Sequence, residues 1–405
     1  MSTRFRNDHF LSLMNDDVPK FLYLGSILRN FGYSFLGIFG NIFLFNVFKA
    51  FGYSETWAFA FVLFRQAGIY LLKLITIFPV SKLVKTVGSK TLLITGSSLS
   101  AISISLYALS QYNLWWLVPN IIITAIQVNV YWIPYHTVFS SKNKSGSMGK
   151  QMGLLSIIGS VIGIISPTFS ALIIQNLGGY NVLFGMAFFM FIMSSIALNF
   201  GELELDIADF KVRDFIKEYK KEKRLFPDYI VIGLESIIQD VVWGIFIYIF
   251  IKDILKLGIL SSLISLSLAF FSYFIGKLSD EKKVGGIDKF SAVFNGIIWI
   301  GKLFVQNGLH IFFLDSLFSL FRTAHSVPID VIVYADAKHE NPMWPVIIRE
   351  IALDIGRTLM SFFAAFLIIR NYEYWVLFLI ASVGYLILGF LLRDNEKEVV
   401  KTNPI

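Results

Sequence analysis

The chain has 405 residues, of which 56% are hydrophobic, 16% aromatic and only 16% charged, with a formal net charge of +7. A water-soluble chain carries about a quarter of charged residues, so this composition excludes a soluble multidomain protein and leaves a polytopic membrane protein. With no cysteine and five histidines that lack ligand spacing, neither disulfides nor a metal site nor any other cofactor is expected.

Twelve apolar spans follow in chain order, near 21–47, 55–80, 90–110, 114–139, 150–174 and 180–200, then 228–251, 257–278, 289–306, 310–334, 346–369 and 372–392. Each is about long enough to cross a bilayer. The first twenty residues lack the apolar core of a signal peptide, so the first span is expected to insert uncleaved. Between the sixth and seventh spans lies 201–227, with seven basic and seven acidic residues. Within it Val212, Phe215, Ile216 and Tyr219 fall at i, i+3, i+4 and i+7, the spacing of one apolar helix stripe. The segment reads as a cytoplasmic amphipathic helix joining two halves, with a plain solvated charge run as the alternative. The expected domains are a six-helix bundle over 1–200, the linker 201–227 and a second six-helix bundle over 228–405.

Lys and Arg set the orientation. The two termini and the even-to-odd loops hold 24 of the 35, and the opposite loops hold four: Lys49, Lys252, Lys256 and Arg370. Positive charge is retained on the cytoplasmic side, so both termini are expected there, in a plasma or inner membrane. The +7 surplus belongs to those loops and the lipid surface, and no nucleic-acid partner is expected. Seven cations remain inside spans or at their rims: Arg29, Arg65, Lys73, Lys302, Arg322, Arg349 and Arg357.

The two halves echo one another. GIFGNIF at 37–43 nearly recurs as GIFIYIF at 244–250, and an offset of 194 pairs Pro134 with Pro328, Tyr180 with Tyr374, and Val182–Phe184 with Val376–Phe378. Each half holds an even number of spans, so the copies run in the same direction, as parallel repeats about an axis along the membrane normal.

In this architecture the chain resembles the major facilitator superfamily over nearly its full length. Its signature loop is matched in part after the eighth span by Gly276-Lys-Leu-Ser-Asp280. After the second span Gly88 and Lys90 match, but Lys85 stands where the family has aspartate. The fifth span carries Gly153, Pro167, Ser170 and Ala171, a partial likeness to the family's antiporter motif. The resemblance implies an all-α fold of two pseudo-symmetric six-helix bundles and no enzymatic activity. It also implies that the first and fourth spans of each half line a central cavity.

Polar groups in the membrane interior cost several kcal/mol, roughly 2.5–3.5 for a central Lys, Arg or Asp. They persist where they meet water, a partner or a task. On those four spans they are Arg29 and Asn30, Gln127 and Asn129, Glu235, Gln239 and Asp240, and Arg322 and His325. These are the expected substrate-binding or coupling residues. Snorkelling of Arg29, hydration of Glu235, a structural Asp240–Arg322 pair and simple packing of His325 remain open beside that role.

Spans two and eleven carry a second set: Arg65 and Lys73, then Arg349, Glu350, Asp354 and Arg357. Counted from their cytoplasmic ends, Lys73 and Asp354 each lie nine residues in, roughly 13 Å at the helical rise. Equal depth on facing helices makes a cross-interface ion pair feasible. The expected gate comprises Lys73, Arg65, Glu350, Asp354, Arg357 and Asp280, with intrahelical pairs within span eleven as the alternative. The function expected is a monomeric secondary active transporter of a small solute working by alternating access. Glu235 and Asp240 make protons a plausible coupling ion. A membrane-embedded lipid flippase or enzyme, and a non-transporting receptor or scaffold, remain alternatives.

Overall fold

The computed structural model describes residues 20–142, 148–205, 210–223, 225–280, 287–335, 341 and 343–391, and the statements below concern these. They form helices and no strand. In chain order these are α1 (Lys20–Ala50), α2 (Glu55–Val87), α3 (Ser89–Leu109), α4 (Leu117–Lys142), α5 (Met148–Asn176) and α6 (Tyr180–Asn199). After the short α7 (Phe215–Glu222) come α8 (Phe226–Ile251), α9 (Ile254–Asp280), α10 (Ile287–Gly301), α11 (Gly308–Ala335), α12 (Met343–Ile369) and α13 (Trp375–Leu391). Eight are long and apolar enough to cross a membrane, namely α1 to α6, α8 and α12. Large apolar side chains such as Phe188, Phe189, Phe313, Phe366 and Phe390 point outward and stay exposed. Only a lipid surround satisfies so much outward apolar surface.

Without a hydrophobic drive between helices in lipid, association relies on close packing of small residues and on hydrogen bonds. Both are present. A Cβ at Gly233 on α8 would strike the Leu353 carbonyl of α12, and one at Gly356 would strike the Ile230 carbonyl in return. This reciprocal pair lets α8 and α12 cross backbone to backbone. Serines bond in pairs between α3 and α6, Ser97 to Ser194 and Ser98 to Ser195, each at 3.0 Å. Between α5 and α9, Thr168 Oγ1 donates to Ser262 Oγ at 2.8 Å, and Gly258 has no room for a Cβ beside Ala171.

The repeated phrase meets itself. Ile38 of the first copy lies 3.2 Å from where a Cβ on Gly244 of the second would sit. Asn41 Nδ2 donates to the Asp240 carbonyl at 3.1 Å, and Asn46 Nδ2 to the Tyr248 hydroxyl at 3.0 Å. Both helices depart from α geometry beside this contact. Gly37 has φ 31° and ψ −128°, breaking α1 with a kink that a side chain would oppose. In α8 the stretch Ile238–Trp243 is π-helical, a local widening that recurs at functional sites.

The linker stripe is realised in part. Phe215 lies edge-on to Phe78 at 5.6 Å and near Trp344 at 6.2 Å, and Tyr219 packs edge-on to Phe226. Ile216 is the exception, at 65% exposed. Residues 212–214 form a 3-10 turn rather than α-helix, which rotates the stripe and leaves Ile216 outside.

At the α2–α3 turn, where Lys85 replaces the family's aspartate, a carboxylate arrives from elsewhere. Glu204 Oε2 accepts from the Ser89 backbone NH at 2.9 Å, at the positive end of α3 where an anion is stabilised. Gly88, at φ 93°, leaves the space that Glu204 occupies. Asp280 ends α9, and its side chain lies outside the described ones, as does that of Pro328.

Candidate functional site

A cavity of about 430 Å³ opens between α2, α4 and α12. Helical spacing explains its α2 wall, since Arg65, Gln66, Ile69, Tyr70 and Lys73 fall at i, i+1, i+4, i+5 and i+8 and so share one face. Val128, Trp132 and His136 line it from α4, and Arg349, Glu350 and Arg357 from α12.

At its base Lys73 is 2% exposed, with Nζ 2.9 Å from Asp354 Oδ1 and 3.3 Å from Glu350 Oε2. Each carboxylate holds a second cation on its own helix: Arg357 Nη1 bonds Asp354 Oδ1 at 3.1 Å, and Arg349 Nη1 bonds Glu350 Oε1 at 2.8 Å. Cross-interface and intrahelical pairs therefore coexist, because Asp354 Oδ1 serves both Lys73 and Arg357. Arg65 stands apart from this cluster. Eight residues from Lys73, it is about 12 Å away along α2, beyond reach of the α12 carboxylates. Its Nε donates to Asn120 Oδ1 at 3.0 Å and its guanidinium lies 4.3 Å from the Tyr107 ring centre.

Arg29 neither snorkels nor faces open space. It is fully buried between α1, α3 and α4, donating to Ser100 Oγ and Gln127 Oε1, both at 2.6 Å, to the Tyr33 hydroxyl at 3.2 Å and to the Gly96 carbonyl at 3.3 Å. The Tyr131 ring lies 3.8 Å below it. Charged hydrogen bonds are worth about 1.5–3 kcal/mol each and a desolvated cation–π contact about 2, enough to hold a guanidinium that has no carboxylate. Gln127 belongs to this cluster. Asn129, two residues on and so about 200° around the helix, turns the other way and bonds the Lys73 carbonyl at 2.8 Å and Thr76 at 3.0 Å. It ties α4 to α2. Asn30 is exposed on α1, ahead of the kink at Gly37.

On α8 and α11, Arg322 reaches two carboxylates, Glu235 at 3.5 Å and Asp240 at 3.8 Å. Glu235 is 1% exposed and also accepts from the Tyr385 hydroxyl at 3.2 Å, while its Oε1 has no hydrogen-bond partner. His325 is buried with its ring edge-on to Tyr385. Gln239 does not join Arg322; it accepts from Lys302 Nζ at 2.6 Å.

That lysine reveals a cluster that sequence reasoning missed. Lys302 Nζ pairs with Asp315 Oδ1 at 2.8 Å, and Trp243 Nε1 donates to Asp315 Oδ2 at 2.8 Å. The rings of Trp243, Trp299 and Phe318 enclose Lys302 at 4.1–4.5 Å. The available signal was two opposite charges a few residues either side of the turn at Asn307. Asn41 and Gln66 were missed too: Gln66 Nε2 donates to Asn41 Oδ1 at 3.2 Å, linking the cavity wall to α8. No group of metal-ligating residues occurs among the described residues.

Comparison with solved structures agrees with the fold. The human organic anion transporter MFSD10 (TETRAN) is similar with a TM-score of 0.72 at 11% identity, over 92% of this chain and 98% of that one. A peptide transporter, POT, gives 0.63 at 14% identity over 92% and 93%. A D-xylose-proton symporter gives 0.66 at 10% identity over 92% and 95%. No curated protein matches the sequence. The family model described as Major Facilitator Superfamily matches residues 22–329, three quarters of the chain, and the chain belongs to that superfamily.

Proposed function

We propose that this chain is a secondary transporter that carries a small solute across the membrane by alternating access. In this reading twelve spans form two six-helix halves, 1–200 and 228–405, joined by 201–227, with both termini cytoplasmic and the chain acting as a monomer. The observation that carries it is the cavity between α2, α4 and α12, with the buried Lys73–Asp354 pair across the α2–α12 seam at its base. A binding chamber on a seam closed by a breakable bond is what alternating access requires.

The fold does not choose the cargo, since the solved relatives are named for organic anions, peptides and a sugar. Glu235 supports proton coupling. It is a buried carboxylate with one oxygen unpartnered among the described residues, held by Arg322 across a long 3.5 Å contact.

The test is uptake of candidate solutes into proteoliposomes under an imposed proton gradient. Saturable uptake that the gradient accelerates supports the reading. Uptake of none from a broad solute panel, with the protein folded and correctly inserted, would reject it in favour of a receptor or lipid-handling role.

A further inference from the structure

The cavity and its cluster hold four cations, Arg65, Lys73, Arg349 and Arg357, against two carboxylates, Glu350 and Asp354. Among the described residues two positive charges are in excess. Sequence deepens the imbalance: Glu55 is the single carboxylate between residues 20 and 200, so α1 to α6 supply nothing to neutralise Arg65.

Arg65 is built like a receptor for an anion. It lies ten residues into α2, about 15 Å from that end, roughly mid-membrane, where an unpaired guanidinium is costly. Its Nε is fixed by Asn120, which is fully buried and itself donates to the Ser103 carbonyl at 2.9 Å. Tyr107 stacks below the guanidinium plane. Nη1 and Nη2 have no acceptor among the described residues, although the side chain borders the cavity. An anchored guanidinium on a cavity wall, its two terminal nitrogens without an acceptor among the described residues, presents the fork that matches a carboxylate or phosphate. Across the chamber Arg357 bonds Asp354 through Nη1 and Ser236 through Nε, and Nη2 has no acceptor among the described residues. Between the two cationic positions the wall is Ile69, Tyr70, Val128 and Trp132. The volume lies within the roughly 300–1,000 Å³ of small-molecule sites, larger than a simple inorganic ion needs.

We infer that this cavity binds an organic dianion, one acidic group on the Arg65 fork and the other toward Arg357 and Lys73, with an aromatic or apolar body between them. The inference deepens the transport reading and rests on it for the role of the site, but binding can be measured without transport. The second acidic group would compete with Asp354 for Arg357 and Lys73, so occupancy loosens the α2–α12 seam.

Purified protein in detergent at low salt would be titrated by calorimetry with 2,6-naphthalenedicarboxylate, 2-naphthoate, 2-naphthalenemethanol and 2-naphthyl phosphate. The expected result is at least tenfold tighter binding of the dicarboxylate than of the monocarboxylate or of the phosphate, whose charge sits on one group, and no binding of the alcohol. Tighter binding of the phosphate than of the dicarboxylate would overturn the two-ended geometry. Arg65→Gln should weaken the dianion at least tenfold, and Arg65→Lys, which keeps charge but not the fork, should recover only part. Equal affinity for mono- and dianion in the native chain overturns the inference without reference to any variant, as does unchanged affinity in a folded Arg65→Gln. Dianion binding without uptake in proteoliposomes would sink the transport reading alone, and uptake of another solute without dianion binding would sink the site alone.

Discussion

Replacement of Lys73 tests whether the α2–α12 ion cluster acts as a latch. The structure ranks the substitutions by what each leaves behind. Lys73→Met removes one cation, yet Asp354 keeps Arg357 at 3.1 Å and Glu350 keeps Arg349 at 2.8 Å. The remaining four charges balance, so only the coupling across the seam is lost, about 1–3 kcal/mol or a 5- to 150-fold shift between states. Asp354→Asn strips Arg357 of its carboxylate and leaves buried Lys73 with the longer 3.3 Å contact to Glu350, in the range of about 3–5 kcal/mol for breaking a buried pair. Lys73→Glu places a third carboxylate beside the other two and should favour the inward-open state most. Because the chain has no cysteine, a single Val128→Cys reporter on the cavity wall can be labelled from the cytoplasmic side with an impermeant maleimide. Labelling should accelerate 5-fold or more in Lys73→Glu, and Asp354→Lys added to it should restore part of the native rate. Equal rates in the native and Lys73→Glu backgrounds, or no rescue by the swap, would refute the latch.

Further outcomes follow from other sites. A cysteine at exposed Lys217 should label only from the cytoplasmic face and one at Tyr372 only from outside; labelling of the first in intact cells would overturn the topology. Lys302→Met leaves Asp315 buried with only the Trp243 donor, so a loss of about 3–5 kcal/mol should appear as a lower unfolding temperature, partly recovered by Asp315→Asn in the same chain. Asp240 is a different case: its side chain is 61% exposed and its Arg322 contact is long, so Asp240→Asn should change stability by less than about 1 kcal/mol. It should nonetheless alter solute affinity or the pH dependence of uptake, and unchanged transport would make Asp240 a bystander.

Charge depth was legible in the sequence where two helices run antiparallel and meet. Lys73 and Asp354 could be matched by counting residues from the helix ends expected to be cytoplasmic, and the side chains do meet. The same count separates Arg65 from the cluster, because eight residues of helix cannot be bridged by a side chain. Rotation about the helix was less legible. Gln127 and Asn129 sit on one span but on opposed faces, and only the packing of α3 and α2 on either side of α4 reveals which face looks where. The Lys302–Asp315 pair escaped because it lies within one turn-connected pair of spans, whereas attention to cavity-lining helices favours charges that face one another across the molecule. Glu204 at the α2–α3 turn was invisible for another reason: its acceptor role is set by a chain return 115 residues later, which no local motif encodes.

The separation of Lys73 from its counter-ions also has a cost in time. Glu350 and Asp354 lie 277 and 281 residues downstream, and a ribosome adding roughly 5–20 residues per second delivers them about 15–55 s later. For that interval α2 exists as a span whose buried lysine lacks both of its counter-ions. The nascent first half must keep Lys73 wet, at the membrane surface or in the insertion machinery, until α12 arrives. Completion of the last spans therefore does more than close the bundle: it is the event that lets the second helix settle to its final depth.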